Sequence, residues 1–366
     1  MLLVQKYGGS SVADVPRLRL VAERVAASRR AGHDVVVVVS AMGNTTNELL
    51  ALAREVSGAP GRRELDMLVS VGERVSMALL AMALQEKGVA ARSFTGSQSG
   101  IITDTAHANA RVVEVRPDRV RAALAAGEVA IVAGFQGVSR DREVTTLGRG
   151  GSDTTAVVLA AALGADECEI CSDVDGVWSA DPRAVPEAVK LGTLTLDEAL
   201  AMARNGAKVL YEEAVAWAHR ESIVIRASAT ARPGGGTLIA PGVAEPRYRA
   251  VVSDAQLALA PLSMLGQLPG ACVRRAHPGG LLVDTRNLHG AVSELTSVAT
   301  VAVVGSGVGA EPRLLAGALA AAAGSHLDFW AGADAVVFLV KSSVAPSLER
   351  HLHLALISAS GMNAAP

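Results

Sequence analysis

The chain has 366 residues, half of them apolar and 3% aromatic, with 34 basic against 36 acidic side chains and a formal net charge of −2. That apolar share excludes a disordered chain, and the missing basic excess argues against nucleic acid as a partner. Three Cys exclude a disulfide scaffold and fit a reducing compartment. The start lacks the basic and apolar regions of a signal peptide, and the apolar runs fall short of the ~20 residues a membrane span needs. A cytoplasmic protein with no membrane partner is expected. Only five of the basic residues are Lys, so each is worth following.

Residues 1–240 alternate β-branched runs with Ala/Leu/Arg-rich helical patterns. Strands are expected at Leu2–Gln5, Val35–Val39, Glu128–Ala133, Cys168–Ser172 and Ile223–Arg226. Val35–Val39, five valines in a row, reads as a central strand buried on both faces. Val12–Ala31 is amphipathic, with Leu18, Val21 and Val25 three and four apart, and Gly32 stands where helices end. Such alternation means βαβ units: a mainly parallel sheet covered by helices on both faces, hence a three-layer αβα sandwich. The texture changes near residue 240, after Arg232-Pro233-Gly234-Gly235-Gly236. Beyond it, Val298–Val304 and Asp334–Lys341 read as strands, Pro312–Gly324 and Pro346–Ile357 as helices, forming a small α+β module. Between them, 251–297 shows strand-like pieces (Leu257–Leu262, Leu281–Val283) and no convincing helix.

Four glycine-bearing polar segments directly follow strands. Lys6-Tyr7-Gly8-Gly9-Ser10-Ser11 puts an ammonium and two permissive backbone positions at a strand end, where an anion can be held, though an ordinary turn fits too. It is not the Walker pattern. Ser40-Ala41-Met42-Gly43-Asn44-Thr45-Thr46 offers hydroxyls for a ligand or, more simply, for capping the next helix. Gly148-Arg149-Gly150-Gly151-Ser152-Asp153-Thr154-Thr155 pairs an Arg able to clamp a carboxylate with an Asp able to receive an ammonium. Ser172-Asp173-Val174-Asp175-Gly176-Val177-Trp178-Ser179-Ala180-Asp181-Pro182-Arg183 resembles a calcium loop, but its glycine is out of register and Ala184 takes the last ligand position. Strand carboxyl ends are where open α/β sheets bind ligands, so one crevice for an anionic nucleotide and a small zwitterion is expected.

The strings KYGGSSV, VVSAMGNTT, LVSVGERVSMALLAMAL, SFTGSQSGIITD, IVAGFQG, TTLGRGGSDTTAV and SDVDGVWSADPR together resemble the aspartate kinases of the amino acid kinase superfamily, almost unbroken from residue 3 to about 240. The resemblance implies transfer of phosphate from ATP, with Mg2+, to the β-carboxylate of L-aspartate, the first step towards lysine, threonine and methionine. It implies that Lys6 steadies the transferring phosphoryl group and that Gly8 and Gly9, with Tyr7 beside them, form the phosphate nest. Ser40 would lie on the nucleotide side, and Thr46 and Glu73 on the substrate side. Arg149 would hold a substrate carboxylate within Gly150-Gly151-Ser152, and Asp153 would stand near the substrate amino group and Lys6. Ser172, Asp173, Trp178, Asp181 and Arg183 would wrap ATP, which Lys208 also reaches. Metal ligands are not specified. A carboxylate nucleophile needs no general base, and no His falls in these motifs.

Domain organisation is expected as a catalytic domain, 1–240, and a regulatory region similar to ACT modules, 241–366. Within the latter, 251–297 is degenerate and 298–366 better preserved, with Leu268-Pro269-Gly270 a remnant of the turn into a missing helix. Weak or absent feedback by lysine or threonine is expected, with assembly into a homodimer or larger through the ACT-like region. The alternatives are a catalytically weak regulatory paralogue that binds amino acids and a kinase of another small carboxylate. Gly305-Ser306-Gly307-Val308-Gly309 imitates a dinucleotide fingerprint without its spacing and reads as an ACT-type loop. Cys168 and Cys171 are expected as packed thiols on opposite strand faces, and His351 and His353 as solvated.

Overall fold

The computed structural model describes residues 1–232, 234–266, 268, 272–287 and 294–358. The valine run becomes the strand Asp34–Val39, and all five valines are fully buried. Val35, Val37 and Val39 pack with Leu18, Val21 and Val25 of the helix Val15–Arg30 and with Leu80 and Leu84 of the helix Val71–Glu86. On the opposite face the helix Gly151–Leu163 crosses the same strands. The period-two alternation of a strand thus feeds two helical layers from one apolar run.

Helix Val15–Arg30 begins three residues later than its periodicity predicts. Gly9–Val12 winds as a 3-10 turn, and Asp14 accepts the Arg17 N–H at 2.8 Å as N-cap. Gly32 follows the helix end at φ +86°, which only glycine adopts cheaply.

The chain divides into two compact units. The first comprises Met1–Val177, Gly192–Leu196 and Val209–Gly242. Its eight-stranded sheet runs, in spatial order, Thr193–Thr195, Thr237–Ala240, Ile225–Ala229, Glu167–Ser172, Leu2–Tyr7, Asp34–Val39, Val129–Ala133 and Ala91–Phe94. Every neighbouring pair is parallel except Ile225–Ala229 with Thr237–Ala240. This is the expected αβα sandwich. A smaller four-stranded sheet, Val112–Val115, Ile101–Thr103, Gln136–Ser139 and Val144–Thr146, has no counterpart in the sequence reading. Its strands are too short to show a period. The helical stretch Arg62–Glu86 is long and apolar enough to cross a membrane by length and composition, yet half of its most apolar window is buried inside the protein.

The second unit comprises Trp178–Leu191, Asp197–Lys208 and Val243–Pro366. Its six-stranded sheet is antiparallel, in the order Val273–His277, Gly280–Asp284, Ala250–Ala260, Thr296–Val304, Ala335–Lys341, Asp328–Gly332. Val301, Val303, Val336 and Phe338 bury one face under Ala318 of the helix Pro312–Ala321 and Leu348 and Leu352 of the helix Ala345–Leu352. Among the described residues of 251–297 there are strands and short 3-10 turns but no α-helix; Pro269 and Gly270 lie outside them. The Gly305–Gly309 loop leads from the strand Thr296–Val304 of this antiparallel sheet to the helix Pro312–Ala321. A β-carbon at Gly305 would stand 2.0 Å from the Arg247 carbonyl oxygen, and one at Gly309 1.9 Å from that of Gly332. Close chain packing accounts for those glycines.

One expectation is overturned here. His351 is exposed, but His353 is buried, with Nε2 2.8 Å from Ser179 Oγ. His353 follows the buried Glu349 by four residues, on the face of the helix Ala345–Leu352 that also buries Leu348 and Leu352, and a π-helical turn, His353–Ser358, continues from it.

Candidate active site

Strand Leu2–Tyr7 delivers Lys6 to its carboxyl end, and the first turn of helix Gly151–Leu163 delivers Asp153 to the same place. Lys6 Nζ lies 2.7 Å from Asp153 Oδ1, with side chains only 12% and 4% exposed. An ion pair this buried holds its partners firmly, because removing either leaves an uncompensated charge. The helix N-terminus adds a favourable field for the carboxylate.

The Gly8-Gly9 turn lies beside this pair. Gly8 N–H donates to the Cys171 carbonyl at 3.3 Å, and a β-carbon at Gly8 would meet Lys6 Nζ at 3.4 Å. Gly9 is the stricter position: its β-carbon would sit 3.0 Å from the Ala41 carbonyl oxygen, and its own carbonyl accepts the Gly43 N–H at 3.1 Å. Tyr7 brings only its backbone, the carbonyl taking the Ser40 N–H at 3.1 Å. Its ring is fully buried in the core beside Arg24, and burial pushes the phenol well above its usual range.

Glu73, in the first turn of helix Val71–Glu86, is brought to the end of the neighbouring strand Asp34–Val39. Its Oε1 accepts the Ala41 N–H at 3.1 Å, while Oε2 is buried with no hydrogen-bond partner among the described residues. Burial raises the Glu73 carboxyl from 4.5 to about 7, against the lowering effect of its own and the Ala41 N–H. Gly72 is obligatory, since a β-carbon there would lie 2.7 Å from that of Ala41. Thr46 stands half-buried in the first turn of helix Thr45–Val56.

Arg149 is exposed between Gly148 and Gly150, both at φ +73°. Gly150 lies against Tyr211, where a β-carbon would be 2.2 Å from Cγ. Gly151 and Ser152 are buried; Ser152 closes on Gly134, where a β-carbon would be 2.7 Å from its Oγ. Ser172 Oγ accepts the Val174 N–H at 3.1 Å, and Asp173 is exposed next to it.

These residues, from Lys6 through Asp173, belong to the first unit; Trp178, Asp181, Arg183 and Lys208 belong to the second. There, Trp178 packs on Ala180, Val185 and Ala188. Arg183 forks onto Asp181 at 3.0 and 2.7 Å and holds its carboxyl below the usual range. Lys208 is exposed; its charge adds to the lowering of the Asp181 carboxyl and opposes the rise that burial gives Glu349.

Three contributors escaped the sequence reading. Tyr211 buttresses Gly150, Phe135 takes the left-handed conformation (φ +66°) at the end of strand Val129–Ala133, and Asp66 is fully buried under the 104–110 loop. A signal existed for the last: an acid inside the otherwise amphipathic Arg62–Val69 pattern. Cys168 and Cys171 are free and buried, with burial raising both thiols.

A family model described as the amino acid kinase family matches residues 1–227. The chain belongs to the amino acid kinase family. Within that family it is similar to aspartokinases. The aspartokinase of Mycobacterium tuberculosis (strain ATCC 25618 / H37Rv) is 54% identical over 275 residues, 74% of this chain and 65% of that protein. That of Mycolicibacterium smegmatis is 59% identical over 236 residues, 64% of this chain and 56% of that protein. The chain therefore spans less than two thirds of the length of these curated relatives. Among solved structures, E. coli aspartokinase III in complex with aspartate and ADP (R-state) superposes with a TM-score of 0.82 at 25% identity, covering 97% of this chain and all of that one. The amino acid kinase fold read from the motifs is thus the observed one.

Proposed function

We propose that this chain is an aspartate kinase, transferring the γ-phosphoryl group of ATP to the β-carboxylate of L-aspartate to give 4-phospho-L-aspartate and ADP. The observation that carries this is the buried Lys6–Asp153 pair beside the Gly8-Gly9 turn, in a chain 59% identical to an aspartokinase over 236 residues. A carboxylate is already a nucleophile at neutral pH, so the work left is alignment and charge neutralisation. Lys6, held in place by Asp153, faces the charge that spreads over the transferring group. Arg149 clamps the α-carboxylate of aspartate, and Glu73 and Asp153 receive its ammonium, with Thr46 alongside. Ser40, Ser172 and Asp173 are assigned to ATP, as are Trp178, Asp181, Arg183 and Lys208 by sequence resemblance.

Mg2+ is expected to arrive with ATP. Among the described residues no three His, Cys, Asp or Glu gather into a metal cage. Asp153, paired with Lys6, would be the protein carboxylate to hold the ion. When bound, the ion would shield phosphate charge.

The three free thiols fit a cytoplasmic setting, and the resemblance supports self-association through the antiparallel second unit, which sedimentation would test. The activity itself is tested by ADP release from MgATP with a panel of acidic amino acids. Release that needs L-aspartate supports the proposal; release with another small carboxylate, or none, removes it.

A further inference from the structure

Asp66 is fully buried in the helix Arg62–Val69, with both carboxylate oxygens engaged. Thr146 Oγ1 donates to Oδ1 at 2.6 Å, the Ala108 N–H reaches Oδ1 at 3.0 Å and Oδ2 at 3.2 Å, and His107 Nδ1 lies 2.7 Å from Oδ2. One buried carboxylate therefore ties a helix, a loop and a strand end together.

Both tethered segments lead to Arg149. Thr146 ends the strand Val144–Thr146, three residues before the arginine, and its carbonyl accepts the Ala110 N–H at 2.9 Å. The loop carries Asn109, and a β-carbon at Gly148 would lie 2.5 Å from Asn109 Oδ1. Ala108 is held at φ +68°, a conformation costly for alanine, and its N–H is the one Asp66 grips. Asp104 braces the base of the loop by accepting the Ala106 and Arg111 N–H groups, each at 3.1 Å. Arg149 thus sits on a turn clamped by this loop on one side and Tyr211 on the other.

We infer that Asp66, through Thr146 and the His107–Asn109 loop, is a positioning residue that sets Arg149 for a substrate carboxylate. This rests on the functional reading above. A bidentate guanidinium contact needs its fork placed to within a fraction of an ångström, so loosening the turn weakens capture of the amino acid and leaves the nucleotide untouched.

The test is steady-state kinetics of Thr146→Val and Asp66→Asn, with circular dichroism to confirm folding. The Michaelis constant for aspartate rises about tenfold or more, while that for ATP stays within about twofold and kcat is largely kept. In an Arg149→Ala background, Thr146→Val adds no further loss, because its effect passes through the arginine. Should Asp66→Asn fail to fold, Thr146→Val, which only replaces a hydroxyl by a methyl, decides alone. Folded variants with an unchanged aspartate constant, equal losses for both substrates, or additive effects with Arg149→Ala overturn the inference and leave the kinase reading standing. Wild-type protein that releases no ADP with aspartate removes both.

Discussion

Lys6 Nζ and Asp153 Oδ1 meet at 2.7 Å, joining the end of a central strand to the start of the helix that covers it. The contact makes Lys6 a pre-set cation, so little rearrangement is needed when charge develops on a transferring group. Lys6→Ala is expected to cut kcat by about 10²–10³-fold while the aspartate Michaelis constant moves far less. A change confined to the Michaelis constant would make Lys6 a binding residue instead.

Glu73 yields a pH dependence with a definite sign. With its carboxyl raised to about 7 by burial, it is neutral below that pH and cannot attract the substrate ammonium. The aspartate Michaelis constant should therefore climb as pH falls through about 7, and Glu73→Gln should flatten the climb. Stability runs the other way. A carboxyl raised on folding contributes stability fully present below 4.5 and lost as pH rises through about 7, a difference of about 3 kcal/mol. Denaturant melts of Glu73→Gln at pH 8 should show the gain; equal stabilities would contradict the burial account.

His353 behaves oppositely. Burial beside Ser179 lowers its pKa, the Glu187 charge opposing, so the unfolded chain binds the proton more readily. Its contribution is present above the ordinary imidazole value and lost as pH falls below it. Thermal melts between pH 5 and 7.5 should show a steeper acid loss in the native protein than in His353→Gln.

Gly150 combines a left-handed backbone with direct contact to Tyr211. Gly150→Ala is expected to cost at least about 1–2 kcal/mol from the backbone alone and to raise the aspartate Michaelis constant by displacing Arg149. An unchanged variant would show that the turn tolerates movement.

Feedback should be weak. The ground for this expectation is in the sequence, where 251–297 is too short for an intact first ACT-like module. Activity retained in millimolar lysine plus threonine is the expected result; collapse of activity would contradict it.

The sheet was legible where burial on both faces forces continuous β-branched runs, as at Val35–Val39. It was illegible where strands of three or four residues, such as Val144–Thr146, owe their pairing to neighbours. The site followed the same division. Glycine clusters after strands marked Gly9 and Gly150, but only tertiary packing shows that Ala41 and Tyr211 are what require them. Asp66 carried only the local sign of an acid within an amphipathic helix, and nothing in the sequence announces that a loop some forty residues on will cover it. His353 was misplaced because it shares its helix face with Glu349, and two polar residues four apart read as a solvated face although both are buried.

The central claim is an acyl phosphate made on aspartate. Hydroxylamine added to the protein with MgATP and L-aspartate traps that product as the hydroxamate, with Lys6→Ala as the matched control. The account predicts aspartyl hydroxamate from the native chain and almost none from Lys6→Ala. No hydroxamate from the native chain, or equal amounts from both, would contradict it.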